Sequence, residues 1–141
     1  DLARINKNKK LLKTCKTLWR NIVDKRMYIH SGVGSAHIGE RFSFDYDLPN
    51  DMAYAETCAT IALIYFANRL SKTELNSEYA DIIENSLYNL LLASTSQDGK
   101  GFFYDNYLNV TLAICIFNKD DMELEMNTIP VLVAHQILHD L

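Results

Sequence analysis

The sequence predicts an all-α fold that is interrupted by one long glycine-rich loop. Apolar residues recur every three or four positions near residues 8–27, 53–70 and 77–94, which is the period of an amphipathic helix. Residues 32–50, between the first two of these segments, contain three glycines and a proline, which favour turns over helix. A loop of this length is uncommon inside a compact domain unless it serves a function.

Composition and charge limit the class of protein. The chain has 141 residues, of which 48% are hydrophobic and 23% charged, which is typical of one globular domain rather than of a disordered chain. A net charge of -4 gives no indication of nucleic-acid binding. No apolar run reaches the roughly 18 residues that a membrane span requires. We therefore expect neither a nucleic-acid nor a membrane partner.

Cysteine usage indicates the compartment. The three cysteines, Cys15, Cys58 and Cys115, are odd in number and widely spaced, which does not suggest a disulfide framework. A reducing compartment is the simpler interpretation, and we expect a cytoplasmic protein.

The individual helices differ in how they should pack. The first has an apolar stripe with lysines opposite, whereas the second is apolar nearly all round and should be buried on most sides. Asn76 or Ser77 should cap the third helix. Aromatic residues at 42–46 and 102–104 favour short strands, with a turn over 97–101 between the third helix and the second of them.

The last segment, residues 110–141, gives a weaker pattern. Residues 110–117 are apolar and fit either strand or helix, and Pro130 could begin a last helix that ends near His139. His135 and His139 are four residues apart, but they lack the glutamate of the zinc-protease motif, so a plain helix is favoured. We expect this segment to cover the apolar second helix, or the chain to self-associate, or to remain marginally folded.

The residues most suited to chemistry lie in or beside the glycine-rich loop. Glu40, Glu56 and Cys58 offer carboxylates and a thiol, which can act as acid, base, nucleophile or metal ligand. Glu56 and Cys58 would point to different sides of a regular helix, so a shared metal would need them at a helix entrance. The alternative is a small buried cysteine and a glutamate favoured by the helix dipole. His30 and His37 flank the loop and could contact a ligand or cap a turn.

A long motif spans this region and continues beyond it. It includes Tyr28, the glycines of the loop, Glu40, the run from Phe44 to Asp51, and Glu56-Thr57-Cys58. Further matching segments are 79–81, 87–89, 98–100 and 102–104. In these residues, over about 10–108, the chain resembles glycoside hydrolase family 127, the β-L-arabinofuranosidases.

The resemblance implies a catalytic domain built as an (α/α)6 barrel and followed by β-sandwich domains. It implies a zinc ion held by one glutamate and three cysteines, one of which is also the nucleophile, with a separate glutamate as acid/base. Glu40 matches the acid/base position, while Glu56 and Cys58 match two of the zinc ligands. His37 is the candidate substrate-binding residue.

The chain departs from the family after residue 105. Asn106-Tyr107-Leu108 replaces the family's Asn-Pro-Leu, and the adjacent cysteine pair that follows in the family is absent. If most of the connection is deleted, Cys115 falls on one cysteine position and Ile114 on the other. Cys115 is then the candidate nucleophile and third zinc ligand, and on either alignment the set of four ligands is incomplete.

Two interpretations follow. In the first, residues 1–141 form a single partial, (α/α)6-barrel-like catalytic segment with a divergent tail over 109–141, and the intact enzyme hydrolyses terminal β-L-arabinofuranosyl residues with retention. In the second, the chain is a non-catalytic helical module or degenerate fragment that binds sugar or oligomerises. Zinc content and hydrolysis of an arabinofuranoside distinguish them.

Overall fold

A computed structural model describes residues 1–109, and within them it confirms the all-α fold. The helices are α1 (Leu2–Ile5), α2 (Lys9–Lys25), α3 (Thr57–Ser71), α4 (Ser77–Asn85), a π-helical turn (Ser86–Leu91) and α5 (Leu92–Ser94). None of the helices in residues 1–109 has the length and apolar character needed to cross a membrane. The predictions for Cys115, His135, His139 and the rest of 110–141 lie outside the described residues.

The first predicted helix is confirmed as α2. Asn8 caps it, with its side-chain oxygen accepting from the backbone N–H of Leu11 at 3.0 Å. The apolar stripe faces inward, and Trp19 at its centre is only 1% exposed.

The predicted start of the second helix at residue 53 is wrong, because α3 begins at Thr57. Residues 53–56 are apolar enough to suggest helix, but their backbone groups bond elsewhere. The N–H of Ala55 donates to the Gly34 carbonyl at 2.7 Å, and the Tyr54 carbonyl accepts from the N–H of Asn106 at 3.1 Å. Long-range hydrogen bonds therefore replace the first turn that periodicity predicts.

The third predicted helix is continuous but not uniform. Asn76 caps α4, accepting from the N–H of Glu78 at 3.1 Å, as its side chain predicts. The π-helical turn then carries the chain into α5 without a break. A π-helical turn holds one more residue than an α-helical turn, which shifts the face that follows it.

The strands expected at 42–46 and 102–104 do not form. Only isolated bridges occur among residues 1–109, pairing Met27 with Val33, Ala36 with Arg41, and Thr95 with Phe102. The backbone groups that a ladder would need are used by other partners, since the Phe103 carbonyl accepts from the Thr57 hydroxyl at 2.6 Å. Tyr46 in turn adopts a φ of 64°, which is incompatible with a strand.

The core divides into two clusters on opposite sides of α3. In the first, Trp19 meets Phe66 and Tyr79 edge to face, with ring centroids 5.5 and 5.3 Å apart. The second contains Ile64, Leu90 and the buried residues before α3. Gly32 lies at this second cluster, where an added Cβ would come within 2.5 Å of the Leu90 side chain. The prediction that α3 is buried on most sides is thus confirmed.

Candidate functional site

The entrance of α3 brings Glu56 and Cys58 together. Glu56 precedes the first helical residue and has a ψ of 136°, which is not helical. Its side chain therefore does not follow the rotation of about 100° per residue that would point it away from Cys58 in a regular helix. The Cys58 thiol lies 3.5 Å from the Glu56 carboxylate. Glu56 is 6% exposed, whereas Cys58 is exposed. The Glu56 carboxylate and the Cys58 thiol therefore lie together at a point that is accessible to solvent.

Tyr104 completes a triangle with these two residues. Its hydroxyl donates to Glu56 Oε1 at 3.1 Å and lies 3.2 Å from the Cys58 sulfur. Sequence reasoning assigned Tyr104 to a strand and missed this contact, because the partners are 46 and 48 residues away. Its place in a matching motif segment was the one signal that could have found it.

Burial and negative charge set the protonation of this triangle. Burial raises the pKa of the Cys58 thiol above its ordinary value, the Tyr104 hydrogen bond opposes this shift, and the charges of Glu56 and Glu40 add to it. Burial and the neighbouring Cys58 also raise the pKa of Tyr104. Without a cation, both groups stay protonated at neutral pH.

Glu40 lies at the tip of a tight turn in the glycine-rich loop. Ala36 and Arg41 exchange two backbone hydrogen bonds of 3.2 Å, and Glu40 has a φ of 43°. The carboxylate is exposed, and its charge acts on the Cys58 thiol. The loop thus holds Glu40 within electrostatic range of the entrance of α3.

His37, on the same turn, reaches the site through aromatic contacts. Its ring packs edge-on against Tyr54, with centroids 4.8 Å apart, and Tyr54 packs against Tyr104 at 6.0 Å. Because His37 is exposed beyond this contact, its ring nitrogens remain able to bind a polar ligand.

His30, the other loop histidine, is a structural residue. Its Nδ1 accepts from the N–H of Gly32 at 3.2 Å, so the proton lies on Nε2, which faces the Asn106 carbonyl at 3.4 Å. Burial lowers the pKa of His30. The ring is therefore a neutral bridge between two loop segments.

Asp45 anchors the loop to the end of α2. Its carboxylate accepts from Lys25 at 2.6 Å and from Arg26 at 2.7 Å, and Arg26 also donates to the Ser43 carbonyl. The hydrogen bond from Lys25 lowers the pKa of Asp45. Tyr46 continues the anchor, with its N–H donating to the Lys25 carbonyl at 2.9 Å.

Glu56 and Cys58 are of the residue types that zinc accepts as ligands, and here their side chains are in contact. Within residues 1–109 no group of three or more histidine, cysteine or acidic side chains is placed to hold a metal ion. These two residues alone therefore do not make up the four-ligand site that the family resemblance implies.

Comparison with known proteins places this site in a family. A family model described as "Beta-L-arabinofuranosidase, GH127 catalytic domain" matches residues 1–114. A "Non-reducing end beta-L-arabinofuranosidase" of Bifidobacterium longum subsp. longum is 44% identical over 110 residues, covering 78% of this chain and 17% of the relative.

Solved structures agree. A GH127 beta-L-arabinofuranosidase from Geobacillus stearothermophilus T6 is 47% identical with a TM-score of 0.77, over 81% of this chain and 18% of its own. Another GH127 beta-arabinofuranosidase is 42% identical with a TM-score of 0.73, over 77% of this chain and 17% of its own. The chain thus spans less than a fifth of the length of these relatives.

The fold and the sequence matches are those of a glycoside hydrolase catalytic domain. Within that class, the chain belongs to glycoside hydrolase family 127, because the family model covers well over half of its residues.

Proposed function

We propose that this chain is the part of a retaining β-L-arabinofuranosidase that supplies the acid/base and two metal ligands of the active site. The observation that carries the proposal is the convergence of Glu56 and Cys58 at the entrance of α3, with the charge of Glu40 acting on the same thiol. The substrate would be a carbohydrate with a terminal β-L-arabinofuranosyl residue, as the names of the relatives suggest.

Each residue has a defined part in this proposal. Glu40, exposed at the tip of its turn, would donate a proton to the leaving glycosidic oxygen and later take one from water. His37 would bind a sugar hydroxyl. Glu56 and Cys58 would hold zinc, which when bound supplies the positive charge that keeps a ligating thiol ionised at neutral pH. The Tyr104 hydroxyl orients both ligands.

The nucleophile and the remaining ligands come from beyond the described residues. Cys115 is the candidate for both on the alignment that deletes most of the connection. Otherwise they belong to parts of the intact enzyme that this chain does not include, as do the rest of an (α/α)6 barrel and its β-sandwich domains. The domain assignment of residues 1–141 as one partial catalytic segment rests on the same argument.

A chimera tests the proposal directly. Residues 1–109 would replace the matching segment of the Bifidobacterium relative, which the 44% identity makes feasible. We expect the chimera to release p-nitrophenol from p-nitrophenyl β-L-arabinofuranoside. A folded chimera without activity, beside an active parent, would contradict the proposal.

Glu40→Gln in the chimera tests the acid. Loss of a general acid costs about 10²- to 10⁴-fold with a poor leaving group such as methanol. The loss should be smaller with p-nitrophenol, which needs no proton to leave. Asp51→Asn is the matched control, since Asp51 is an exposed carboxylate of the same loop. Equal losses with both leaving groups would remove the acid role from Glu40.

The second candidate is a sugar-binding module without turnover, favoured by the incomplete ligand set of residues 1–109. Calorimetry of the 141-residue chain with methyl β-L-arabinofuranoside would then show binding without release of L-arabinose, and an inactive chimera would accompany it.

A further inference from the structure

Asn106 forms hydrogen bonds with most of the segments that meet at the entrance of α3. The side-chain amide of Asn106 donates to the Ala55 carbonyl at 2.9 Å and to the Thr57 hydroxyl at 3.0 Å, with the Tyr104 carbonyl at 3.3 Å. The two hydrogens of the amide are thus shared among three acceptors. Ala55 and Thr57 are the residues on either side of Glu56, so both flanks of the metal-ligand candidate depend on one amide.

The backbone of Asn106 adds two more contacts. Its N–H donates to the Tyr54 carbonyl at 3.1 Å, and its carbonyl accepts from His30 at 3.4 Å. These two hydrogen bonds fix the backbone of Asn106. Because the backbone is fixed, the side chain loses little further conformational entropy when it binds its three acceptors.

Ala55 is the strained member of this arrangement. It has a φ of 38° and is fully buried, although it is not a glycine. An alanine in the left-handed region persists only when its surroundings hold it there. Here the Gly34 carbonyl holds its N–H at 2.7 Å, and the Asn106 amide holds its carbonyl. This conformation changes the direction of the chain within residues 53–56 and turns Glu56 towards Cys58.

Thr57 transmits the same constraint to the other side. Its N–H donates to the Tyr104 carbonyl at 2.9 Å and its hydroxyl donates to the Phe103 carbonyl at 2.6 Å, while the hydroxyl oxygen accepts from Asn106. Thr57 is also the first residue of α3, so its position sets where Cys58 projects.

We propose that Asn106 is a positioning residue, which acts through Ala55 and Thr57 to set the approach of the Glu56 carboxylate to the Cys58 thiol. The inference rests on the proposed function only in the role that it gives to Glu56 and Cys58 as metal ligands. The geometric relation itself belongs to this chain and can be measured without sugar or metal.

Thiol alkylation of the whole 141-residue chain tests the relation. Iodoacetamide is added in the presence of a chelator at fixed pH, and peptide masses give separate rates for Cys58 and for Cys15, which lies in α2. Asn106→Leu keeps about the size of the side chain, removes the donor and adds no charge beside the thiol. Because the Glu56 carboxylate is then no longer held against the thiol, we expect Cys58 to react about fivefold faster, the factor for one lost hydrogen bond, with Cys15 unchanged.

A second substitution provides the rescue. Glycine adopts a positive φ without steric cost, so Ala55→Gly should hold the turn without help from the amide. In the Asn106→Leu background it should return the Cys58 rate towards that of the unsubstituted chain. An equal acceleration of Cys58 and Cys15, an unchanged Cys58 rate, or no rescue by glycine would overturn the proposal.

Variants of Thr57 test the proposal if Asn106→Leu fails to fold, as judged by near-ultraviolet circular dichroism. Thr57→Val has the same shape but lacks the hydroxyl, and Thr57→Ser retains it. The proposal requires faster alkylation of Cys58 in the valine variant alone, and similar rates in both would overturn it. Because neither readout involves turnover, a failed arabinofuranosidase assay does not change this result.

Discussion

The indole N–H of Trp19 donates to the carboxylate of Glu78 at 2.9 Å, which joins the buried centre of α2 to the first turn of α4. The same carboxylate accepts from Arg20 at 2.7 Å. Glu78 thus accepts hydrogen bonds from a buried side chain and from an exposed one, which are neighbours in the sequence of α2.

This relationship predicts the cost of changing Trp19. Trp19→Ala should lower the free energy of unfolding by about 3–5 kcal/mol, because a fully buried ring is lost. Trp19→Phe should cost about 1–2 kcal/mol, since an aromatic ring remains, although a smaller one, and the hydrogen bond is lost. Urea denaturation followed by circular dichroism measures both. Leu18→Ala, at a 55% exposed position of the same helix, is the control and should cost much less.

His30 predicts a pH dependence of stability. Because burial lowers its pKa in the folded chain, the unfolded chain binds a proton that the folded chain rejects. Stability is therefore complete above the ordinary value of 6.5 and falls as the pH drops below it. Denaturation midpoints between about pH 8 and about pH 5 should show this slope. His30→Gln should flatten it, and an unchanged slope would assign the effect to other groups.

Zinc binding by the 141-residue chain is predicted to be weak or absent. Zinc sites need three or four protein ligands, and only Glu56 and Cys58 converge within residues 1–109. Metal analysis after dialysis should find much less than one zinc per chain. Stoichiometric zinc that disappears in Cys58→Ser but persists in Cys15→Ser would contradict the prediction, and its loss in Cys115→Ser as well would identify Cys115 as a further ligand.

The anchor at Asp45 predicts the order of the glycine-rich loop. Asp45→Asn removes the charge that Lys25 and Arg26 share, so the loop should loosen while the helices persist. Trypsin should then cut faster after Arg41, an exposed residue of the loop. Asp51→Asn is the control with the same chemical change. Added salt should narrow the difference between Asp45→Asn and the original chain, because salt screens exposed ion pairs.

Self-association is predicted from the apolar side chains that residues 1–109 leave exposed. Ile38, Phe44 and Met52 are 84%, 72% and 71% exposed, all in or beside the loop. Sedimentation velocity over a concentration series should show association, and Phe44→Ser should weaken it. A compact monomer at every concentration, with cooperative unfolding, would contradict the prediction and indicate that the chain closes its own core.

The helices could be predicted from sequence because their apolar period is local information. The capping residues Asn8 and Asn76 also act within three residues, and of the two caps Asn76 is one that the sequence predicts. Residues 53–56 could not be predicted, since their conformation depends on Gly34 and on Asn106, about fifty residues further along the chain. The Tyr104 contacts with Glu56 and Cys58 were hidden for the same reason.

The site residues divide in the same way. Glu56 and Cys58 were predicted to converge only at a helix entrance, and that condition is met because α3 begins between them at Thr57. The roles of Glu40 and Cys115 follow from the family motif, and that of His37 from its place beside the glycine-rich loop. All three stay proposals until the variants are measured.

The π-helical turn over Ser86–Leu91 holds one residue more than a regular helix needs for the same turn. Deleting one residue there restores a regular helix, so the residues that follow keep nearly the same orientation. A second deletion, with no wide turn left to absorb it, rotates all that follows by about 100°. Ser94, whose carbonyl accepts from the N–H of Phe103 at 2.7 Å, would then move, and with it the Phe103 carbonyl that receives the Thr57 hydroxyl. The candidate site therefore tolerates the loss of one codon from this helix but not of two.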